Sequence, residues 1–369
     1  MRIFYGFDIE LAQHLNQSDK DIWTLNIRDT LVEMGHEVIN FDYNLGEFFQ
    51  HLEKSMPAHV EYSNANKEKV VKAFLEQIKR HHKQKPIDIL LSYFYDHFMT
   101  KEAILEVKKM GIKTLNYNCN ASYQLELIED ISPAFDYCLT VETFRHNDYK
   151  NIGANPIYFQ EAANINYYKP LNEKKIYDAI FIGQSYGDRP AYVNYLQSNG
   201  INLKVFGSGW NQCSKTKKQQ IKNLLYSIVN KKKVKHNLIN PQLVGSRLTF
   251  DEMIKLYSQA KIAVNFATCG NTHKQDKRVT QIRLRDFEAP ACKICYITEY
   301  SEELEEFYEI DKEILCYKSK EELLDKIQFC LENDSFREQI AKAGFQRVIK
   351  DHSWHNRFNK LFNEIELST

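Results

Sequence analysis

The sequence predicts a two-domain α/β protein built on parallel β-sheets. Short apolar runs of strand length alternate with longer amphipathic stretches of helical periodicity, which is the pattern of βαβ units. The chain has 369 residues, and one average domain takes only about 100–200. The alternation also begins afresh at residue 177, after a mixed segment that contains Pro170. These observations indicate two similar lobes in succession.

In the first lobe, the run IDILLSYFY at 87–95 is nearly continuous in apolar residues, as a central parallel strand covered on both faces must be. Trp23, Ile27, Leu31 and Met34 recur at helical spacing. We predict that this lobe spans residues 1–168. Its predicted strands are 2–7, 37–43, 87–95, 112–118 and 135–142, and its predicted helices are 23–34, 66–82 and 101–110.

The second lobe repeats the alternation over residues 169–350. A last amphipathic segment at 352–367 carries Trp354, Phe358 and Leu361 on one face, which suits docking of a helix. The predicted strands are 177–183, 201–207, 261–266, 293–298 and 314–317, and the predicted helices are 190–198, 250–258, 281–291, 320–332 and 335–347.

The composition is that of an ordinary globular protein, with 43% hydrophobic and 27% charged residues. Lys plus Arg equals Asp plus Glu at 49 each, so the chain has no global field that would recruit a polyanion. This balance disfavours a nucleic-acid-binding module. The first residues, MRIFYGFDIE, show no targeting pattern, and no apolar run reaches the roughly 18–20 residues of a membrane-spanning helix. We therefore expect a cytoplasmic protein without a transmembrane segment.

The eight cysteines are scattered along the chain. Cys292 and Cys295 form one C-x-x-C, but no second pair or histidine cluster follows at zinc-site spacing. We interpret them as packed residues around a strand, so no metal site is predicted.

Two glycine-containing turns follow predicted strands of the second lobe, at the edge where open α/β sheets bind ligands. FIGQSYGDRP places Gly183, Gln184, Ser185 and Arg189 between a strand and a helix. FGSGW places Gly207, Gly209 and Trp210 after the next strand. Glycines let backbone amides approach a phosphate, and an arginine can clamp it with paired hydrogen bonds. The alternative is that both turns are glycine-rich for steric reasons alone.

The segment IRLRDFEAPAC at 282–292 sets Arg283, Arg285 and Glu288 on a predicted helix. A carboxylate beside guanidinium groups stays ionised and can accept two hydrogen bonds from vicinal ribose hydroxyls. The alternative is a surface ion pair between Arg285 and Glu288, which would carry no function.

The interval 211–247 contains eight lysines and Arg247 but no acidic residue. A solvated helix and loop would explain it. The functional alternative is a patch for an anionic acceptor, such as a phosphate-bearing polymer or a membrane surface.

Several segments together resemble the CgeB-like, spore-protein-type branch of the group 1 glycosyltransferases. They cover most of residues 177–354 in the right order, which is more specific than any one of them. The first lobe resembles the family more loosely, through FDYCLTVE and AANINYYKPL. The segments of the second lobe are FIGQSYGDRPAYVNYLQSNGI, AKIAVNF, RLRDFEAPACKICYITEYSEELEEFYEIDKEILCYKSKEELLDKI and AGFQRVIKDHSW.

The resemblance implies the GT-B fold, with two facing Rossmann-like lobes, and a helix at 351–369 that returns to the first lobe. It implies that the second lobe binds a nucleotide-sugar donor and the first an acceptor. Glu288 matches the glutamate that holds the donor ribose. Thr280 stands where the wider group has a second glutamate, and Lys293 stands where a small residue is usual. Lys293 could add a positive charge near the phosphates or shift its loop.

We expect sugar transfer without a cofactor or a required metal, because arginines, backbone amides and helix N-termini can stabilise the departing diphosphate. The resemblance favours retention of the anomeric configuration. A general base should follow strands of the first lobe, where Asp8, Tyr95, Asp96 and His97 are candidates. The alternatives are a nucleotide-sugar epimerase of the same architecture and a degenerate GT-B protein that only binds a nucleotide. The sequence leaves the acceptor open.

Overall fold

The chain folds into two units, each built around its own parallel sheet. The computed structural model describes residues 1–7, 21–120, 124–213, 239–270, 272–274 and 278–367. Unit 1 comprises Met1–Asn164 and Trp354–Thr369, and unit 2 comprises Ile165–Ser353. The chain therefore passes between units at 164/165 and 353/354, close to the 168/169 and 350/351 inferred from the sequence.

The sheet of unit 1 has six parallel strands in the order β2-β1-β3-β4-β5-β6. Every residue of β1 and β3 is buried, which explains the continuous apolar runs in the sequence. Five of the strands were predicted, and only the short β6 was missed. The strands are β1 Arg2–Gly6, β2 Glu37–Asn40, β3 Ile89–Ser92, β4 Lys113–Asn118, β5 Tyr137–Thr140 and β6 Pro156–Tyr158.

Helices cover the faces of this sheet. Pro57 opens the long α3, nine residues before the predicted start, because proline is well suited to a first helical position. The side chain of Thr100 caps α4 by accepting a hydrogen bond from the backbone N–H of Ala103. A π-helical turn at Thr24–Arg28 leads into α1. The helices are α1 Asp29–Glu33, α2 Gly46–Phe49, α3 Pro57–Gln84, α4 Lys101–Lys109 and α5 His146–Asn151.

The predicted C-terminal helix belongs to unit 1, as expected, and becomes α12 (Trp354–Glu364). Trp354, Phe358 and Leu361 are all buried. The indole N–H of Trp354 donates to Oδ1 of Asn26 at 3.0 Å, and the backbone N–H of Asn164 donates to the same oxygen at 3.1 Å. Asn26 thus forms hydrogen bonds with the last residue of unit 1 before unit 2 and with the first residue after it.

The sheet of unit 2 also has six parallel strands, in the order β12-β11-β10-β7-β8-β9. Every predicted strand of this lobe is present, and the two-residue β9 was not predicted. The strands are β7 Tyr177–Ile182, β8 Leu203–Phe206, β9 Val244–Gly245, β10 Ala260–Val264, β11 Cys295–Glu299 and β12 Leu315–Tyr317.

All predicted helices of unit 2 are present, but α9 begins at Arg285 rather than near 281 and α11 continues to Asp351 rather than ending at 347. The short helix α7 was not predicted. The seven cysteines whose side chains the structure describes are buried, including Cys292 and Cys295, in agreement with their interpretation as packing residues. The helices are α6 Arg189–Ser198, α7 Trp210–Cys213, α8 Phe250–Gln259, α9 Arg285–Ala291, α10 Lys320–Glu332 and α11 Asp334–Asp351. Within the described residues, no helix combines the length and the apolar character needed to cross a membrane.

Candidate functional site

The two predicted glycine turns of unit 2 lie side by side at the carboxyl edge of its sheet. The backbone N–H of Gly183 donates to the carbonyl of Phe206 at 2.8 Å, and that of Ser185 donates to the carbonyl of Ser208 at 2.9 Å. These bonds extend the pairing of β7 with β8 beyond the last strand residues. The turns at 183–185 and 207–209 therefore form one continuous backbone surface.

Close approach of the two turns explains the glycine at 207. Gly207 has φ +130°, and a Cβ there would lie 2.4 Å from the carbonyl oxygen of Gly183. No side chain fits that space. Gly183 has a different constraint, since its Cβ would lie 2.7 Å from the Phe181 ring and 3.0 Å from Nη2 of Arg285. The absence of a side chain at Gly183 thus leaves room for that guanidinium.

Trp210 supports the two turns from the interior of unit 2 and does not line their surface. Its side chain is fully buried, and its indole N–H donates to the carbonyl of Gly183 at 2.7 Å. A side chain so placed cannot contact a donor. The prediction that Trp210 binds the donor is therefore corrected to a positioning role, whereas Gly209 and Gln184 remain at the surface of the turns.

Arg189 is also buried and is committed to protein acceptors. It is 3% exposed and donates to the carbonyls of Gln184 and Phe266, each at 3.0 Å, and to the hydroxyl of Tyr186 at 2.8 Å. Burial, with the nearby charge of Arg285, lowers its pKa to about 9, so it remains charged at neutral pH. Arg189 fixes the 184–186 turn, and the phosphate clamp predicted for it is absent from the described geometry.

Arg285 and Arg283 are the half-buried arginines of this edge. Nη1 of Arg285 donates to Oδ1 of Asn265 at 3.0 Å, and its guanidinium lies over the Phe181 ring at 5.4 Å. Arg283 lies near enough to Arg189 for its charge to contribute to the lowered pKa of that residue. Arg285 thus lies beside Gly183, and the charges of Arg283 and Arg285 both act on Arg189, so this edge concentrates positive charge that suits a strongly charged anion.

Asp286 fixes this arrangement and was missed in the sequence. It is 1% exposed and accepts hydrogen bonds from the backbone N–H of Arg283 at 2.7 Å and from the hydroxyl of Tyr296 at 2.7 Å. Asn265 donates to it at 3.2 Å. Burial raises the pKa of Asp286, and these donors oppose that shift. The carboxyl group therefore positions the start of α9, from which Arg285 extends.

Glu288 lies one helical turn after Arg285 in α9 and is 4% exposed. Its burial is inconsistent with the surface ion pair considered as the alternative. Burial raises the pKa of Tyr257, and the negative charge of Glu288 raises it further. A buried carboxylate needs hydrogen-bond partners, which either the protein or a ligand can supply. The ribose-binding role of Glu288 therefore stays a prediction.

Lys293 lies at the wrong edge of the sheet for donor binding. It follows α9 and precedes β11, and in a parallel sheet the residue before a strand lies at the amino edge. Gly183 lies at the opposite, carboxyl edge, after β7. The prediction that Lys293 binds the donor is therefore corrected. Its φ of +56° explains instead why a small residue is usual there.

A second charged network occupies the same carboxyl edge and was not predicted. Nη2 of Arg278 lies 2.8 Å from Oδ2 of Asp188 and 2.9 Å from Oε1 of Glu299. Its Nε donates to the hydroxyl of Thr268 at 2.6 Å. Thr268 in turn forms an isolated antiparallel bridge with Thr280, the position at which the resembled group has a glutamate. Arg278 thus ties the loop after β7 to the end of β11.

The first-unit candidates fall into two cases. Asp8 lies outside the described residues, as does most of the basic interval, since residues 214–238 are not described. Asp96 is 5% exposed and accepts from Nζ of Lys54 at 3.1 Å and from the backbone N–H of Ile131 at 3.1 Å. Its carboxylate therefore fixes a turn, and burial raises its pKa, so the catalytic base stays a prediction.

His97 is 4% exposed, and burial lowers its pKa to about 4, with the charges of Lys54 and Lys67 adding to the effect. The imidazole is therefore neutral at physiological pH, and its role as a general base stays a prediction. Among the described residues, no group of three or more His, Cys, Asp or Glu side chains is placed to hold a metal ion.

Comparison with known proteins identifies the larger part of unit 2. Residues 190–363 match the family model described as glycosyl transferase-like. The matched segment comprises most of unit 2 and most of α12, and it is similar to glycosyl transferases. The glycosyltransferase predicted from the sequence is confirmed at this level, whereas the CgeB-like branch stays a prediction. No curated protein sequence matches the chain significantly.

Solved structures show the same fold over the whole chain. Sucrose-phosphate synthase from Thermosynechococcus elongatus matches with a TM-score of 0.61 and 12% identity, over 100% of both chains. An α-glucosyltransferase in complex with UDP-glucose and DNA matches with a TM-score of 0.60 and 13% identity, over 99% of both chains. HepE of Anabaena in complex with UDP and glucose matches with a TM-score of 0.53 and 10% identity, again over 99% of both chains. The predicted GT-B fold is thereby confirmed.

Proposed function

We propose that the protein transfers a glycosyl group from a nucleoside diphosphate sugar bound at the carboxyl edge of unit 2. The observation that carries the proposal is the guanidinium of Arg285 next to Gly183, where the two glycine turns pair. Bond cleavage at the anomeric carbon leaves a diphosphate on which negative charge develops. Fixed cations aimed at such a group are a large source of rate enhancement.

Individual groups have separate roles in this proposal. Arg285 receives the diphosphate beside Gly183, and Arg189 and Trp210 hold the turn in shape from within. Glu288 accepts the ribose hydroxyls. We further propose that no metal is required, because guanidinium groups supply the charge, and that the anomeric configuration is retained, as the resemblance implies. Unit 1 would then bind the acceptor.

The similar structures named above include complexes with UDP and UDP-glucose. UDP is therefore the first ligand to test. Thermal unfolding of the full chain should be measured with UDP, ADP and GDP, with uridine as the control that lacks phosphate. Saturation at 100 times the dissociation constant adds about 2.7 kcal/mol of stability. We expect at least one diphosphate to raise the unfolding midpoint and uridine to leave it unchanged.

Products then separate transfer from other reactions of the same fold. The matching UDP-, ADP- or GDP-sugar is incubated with the protein in the presence of EDTA, and the products are followed by NMR. Release of free sugar, or of a glycoside with retained configuration, supports the proposal. Conversion of the donor into an isomeric nucleotide sugar would show an epimerase. Diphosphate binding with neither product would overturn the enzymatic assignment.

A further inference from the structure

The carboxyl edge of the sheet in unit 1 carries a group of aromatic rings instead of arginines. Tyr93, just after β3, lies between two half-buried rings. Its ring centroid is 6.1 Å from that of Trp23 at an interplanar angle of 28°, and 6.4 Å from that of Phe49 at 25°. We call Trp23, Phe49 and Tyr93 the ring triplet. Tyr117 packs edge-on against Trp23 at 5.6 Å.

Polar groups lie beside the ring triplet, mainly in the segment that follows β4. The Tyr93 hydroxyl lies 3.3 Å from Sγ of Cys119 and accepts a hydrogen bond from Nδ2 of Asn120 at 3.3 Å. The Tyr95 hydroxyl lies 3.4 Å from that of Tyr93 and donates to Oε1 of Gln124 at 2.6 Å. The side chains of Asn120 and Gln124 are half-buried. The hydrogen-bonded hydroxyls of Tyr93 and Tyr95 are therefore linked to the protein surface through these two amides.

Two further hydroxyls of the cluster are buried without a hydrogen-bond partner among the described residues. They belong to Tyr5 and Tyr117, which are 0% and 1% exposed. The Tyr5 ring stacks on Phe7 at 4.4 Å, and the Phe7 ring lies 5.6 Å from that of Tyr93. A buried hydroxyl without a partner destabilises the folded chain, because no hydrogen bond compensates for its removal from water. Each such group calls for an explanation, and a ligand or an ordered water beside it supplies one.

The charges near these hydroxyls are mainly negative. Burial raises the pKa of Tyr5, and the carboxylates of Asp21 and Asp29 raise it further, with Arg28 opposing them. Burial likewise raises the pKa of Tyr117, with Glu161 adding to the effect. An anionic ligand would be repelled at such a surface.

We infer that this edge binds a neutral sugar ring, which serves as the acceptor. The inference rests on the proposed function for that last step. A pyranose has a C–H face that packs on the electron-rich face of an aromatic ring. Its hydroxyls both donate and accept, so they match the amides of Asn120 and Gln124 and the tyrosine hydroxyls. The anionic acceptor suggested by the basic interval does not fit this edge.

The chain contains its own reporter for this site. Trp210 and Trp354 are fully buried, and Trp23 is the half-buried tryptophan of the three. Tryptophan emission should therefore be recorded while the donor-free full chain is titrated with methyl α-glucoside, methyl β-galactoside and maltose. Glucose 6-phosphate and a single-stranded oligonucleotide serve as the anionic probes.

We expect a saturable emission change with at least one neutral sugar, and no equally tight binding of the anionic probes. Trp23→Phe should remove the change, which assigns it to this residue. Phe49→Leu should weaken binding about tenfold, as truncation of an aromatic anchor does. Phe144→Leu is the matched control, because Phe144 is 51% exposed in the same unit and lies outside the ring triplet.

Three outcomes would overturn the inference: no neutral sugar perturbs Trp23, an anionic probe binds at least as tightly, or Phe49→Leu binds normally. If Phe49→Leu fails to fold, Tyr93→Phe replaces it, since loss of one hydroxyl should still weaken sugar binding severalfold. The titration needs no donor. If no sugar binds but a nucleoside diphosphate does, the proposed transferase still stands and only the sugar site is refuted. If a neutral sugar binds but no diphosphate does, the transferase is refuted and the sugar site still stands.

Discussion

The two sheets share a six-stranded parallel design, yet their carboxyl edges carry opposite chemistry. In unit 2 two paired glycine turns lie against Arg285, with the positive charges of Arg189 and Arg283 nearby. In unit 1 the equivalent edge carries stacked rings, hydroxyls and carboxylates. The comparison teaches that the strands supply only a common platform. The few residues after each strand decide whether an edge accepts a diphosphate or a neutral ring.

The largest expected effect comes from removing the charge that most distinguishes the edge of unit 2. Arg285→Gln should lower the rate of transfer about 100–1000-fold, because charge on the leaving diphosphate loses a fixed partner. Steady-state kinetics with the donor found by thermal shift would measure this. Arg145→Gln, on the surface of unit 1, is the matched control and should leave the rate unchanged. Equal losses in the two variants would refute the special role of Arg285.

A smaller loss is expected from the carboxylate of α9. Glu288→Gln keeps the shape but weakens the hydrogen bonds to ribose, so donor affinity should fall about 10–100-fold, corresponding to about 1.5–3 kcal/mol for a charged hydrogen bond. Calorimetric titration with the nucleoside diphosphate would measure it, with circular dichroism as the check on folding. Glu321→Gln, at an exposed site of α10, should bind normally. Unchanged affinity in Glu288→Gln would show that the buried carboxylate serves packing alone.

The glycine turn itself can be tested with one methyl group. Gly183→Ala places a Cβ 2.7 Å from the Phe181 ring and 3.0 Å from Nη2 of Arg285. The guanidinium must shift, and we expect donor affinity to fall about tenfold with a loss of stability of about 1–3 kcal/mol. Gly200→Ala is the control in unit 2, because its Cβ would meet nothing within 4 Å. It should lose about 1 kcal/mol of stability through its positive φ and keep its donor affinity.

No effect on transfer is expected at His97. Its pKa is lowered from 6.5 to about 4 by burial, so the unfolded chain binds a proton more readily than the folded one. The stability of unit 1 should therefore fall as the pH drops from 6.5 towards 4. His97→Asn should reduce this dependence, measured by urea unfolding at pH 7.5 and 5, and leave the transfer rate intact. A large loss of activity at pH 7.5 would instead support His97 as a catalytic residue.

Periodicity and apolar runs predicted nearly all of the two sheets, because buried parallel strands must be continuous in apolar residues. The misses were short elements such as β6 and β9, where two or three residues pair only because neighbours are already in place. Pro57 shows a different limit. The helix α3 extends over polar residues whose composition gave no periodic signal.

Side-chain roles were predicted less well than positions. Glycine after a strand indicated close backbone approach at Gly183 and Gly207, which the structure shows, whereas the donor-binding roles of these glycines and of Arg285 stay predictions. The sequence could not show that Trp210 and Arg189 face inward, since burial depends on packing against distant residues such as Phe266. Arg278, Asp188 and Glu299 come from three separate segments, and only the fold brings them together.

The interruption of unit 1 by unit 2 has a consequence for synthesis on the ribosome. Trp354 and Asn164 both bond to Asn26, but roughly 190 residues of unit 2 are made between them. At about 5–20 residues per second, that delay lasts about 10–40 s. Unit 2 is continuous and can close its core as soon as it emerges. Unit 1, although translated first, must wait for its last helix, so a nascent chain would complete its domains in the reverse order of their beginnings.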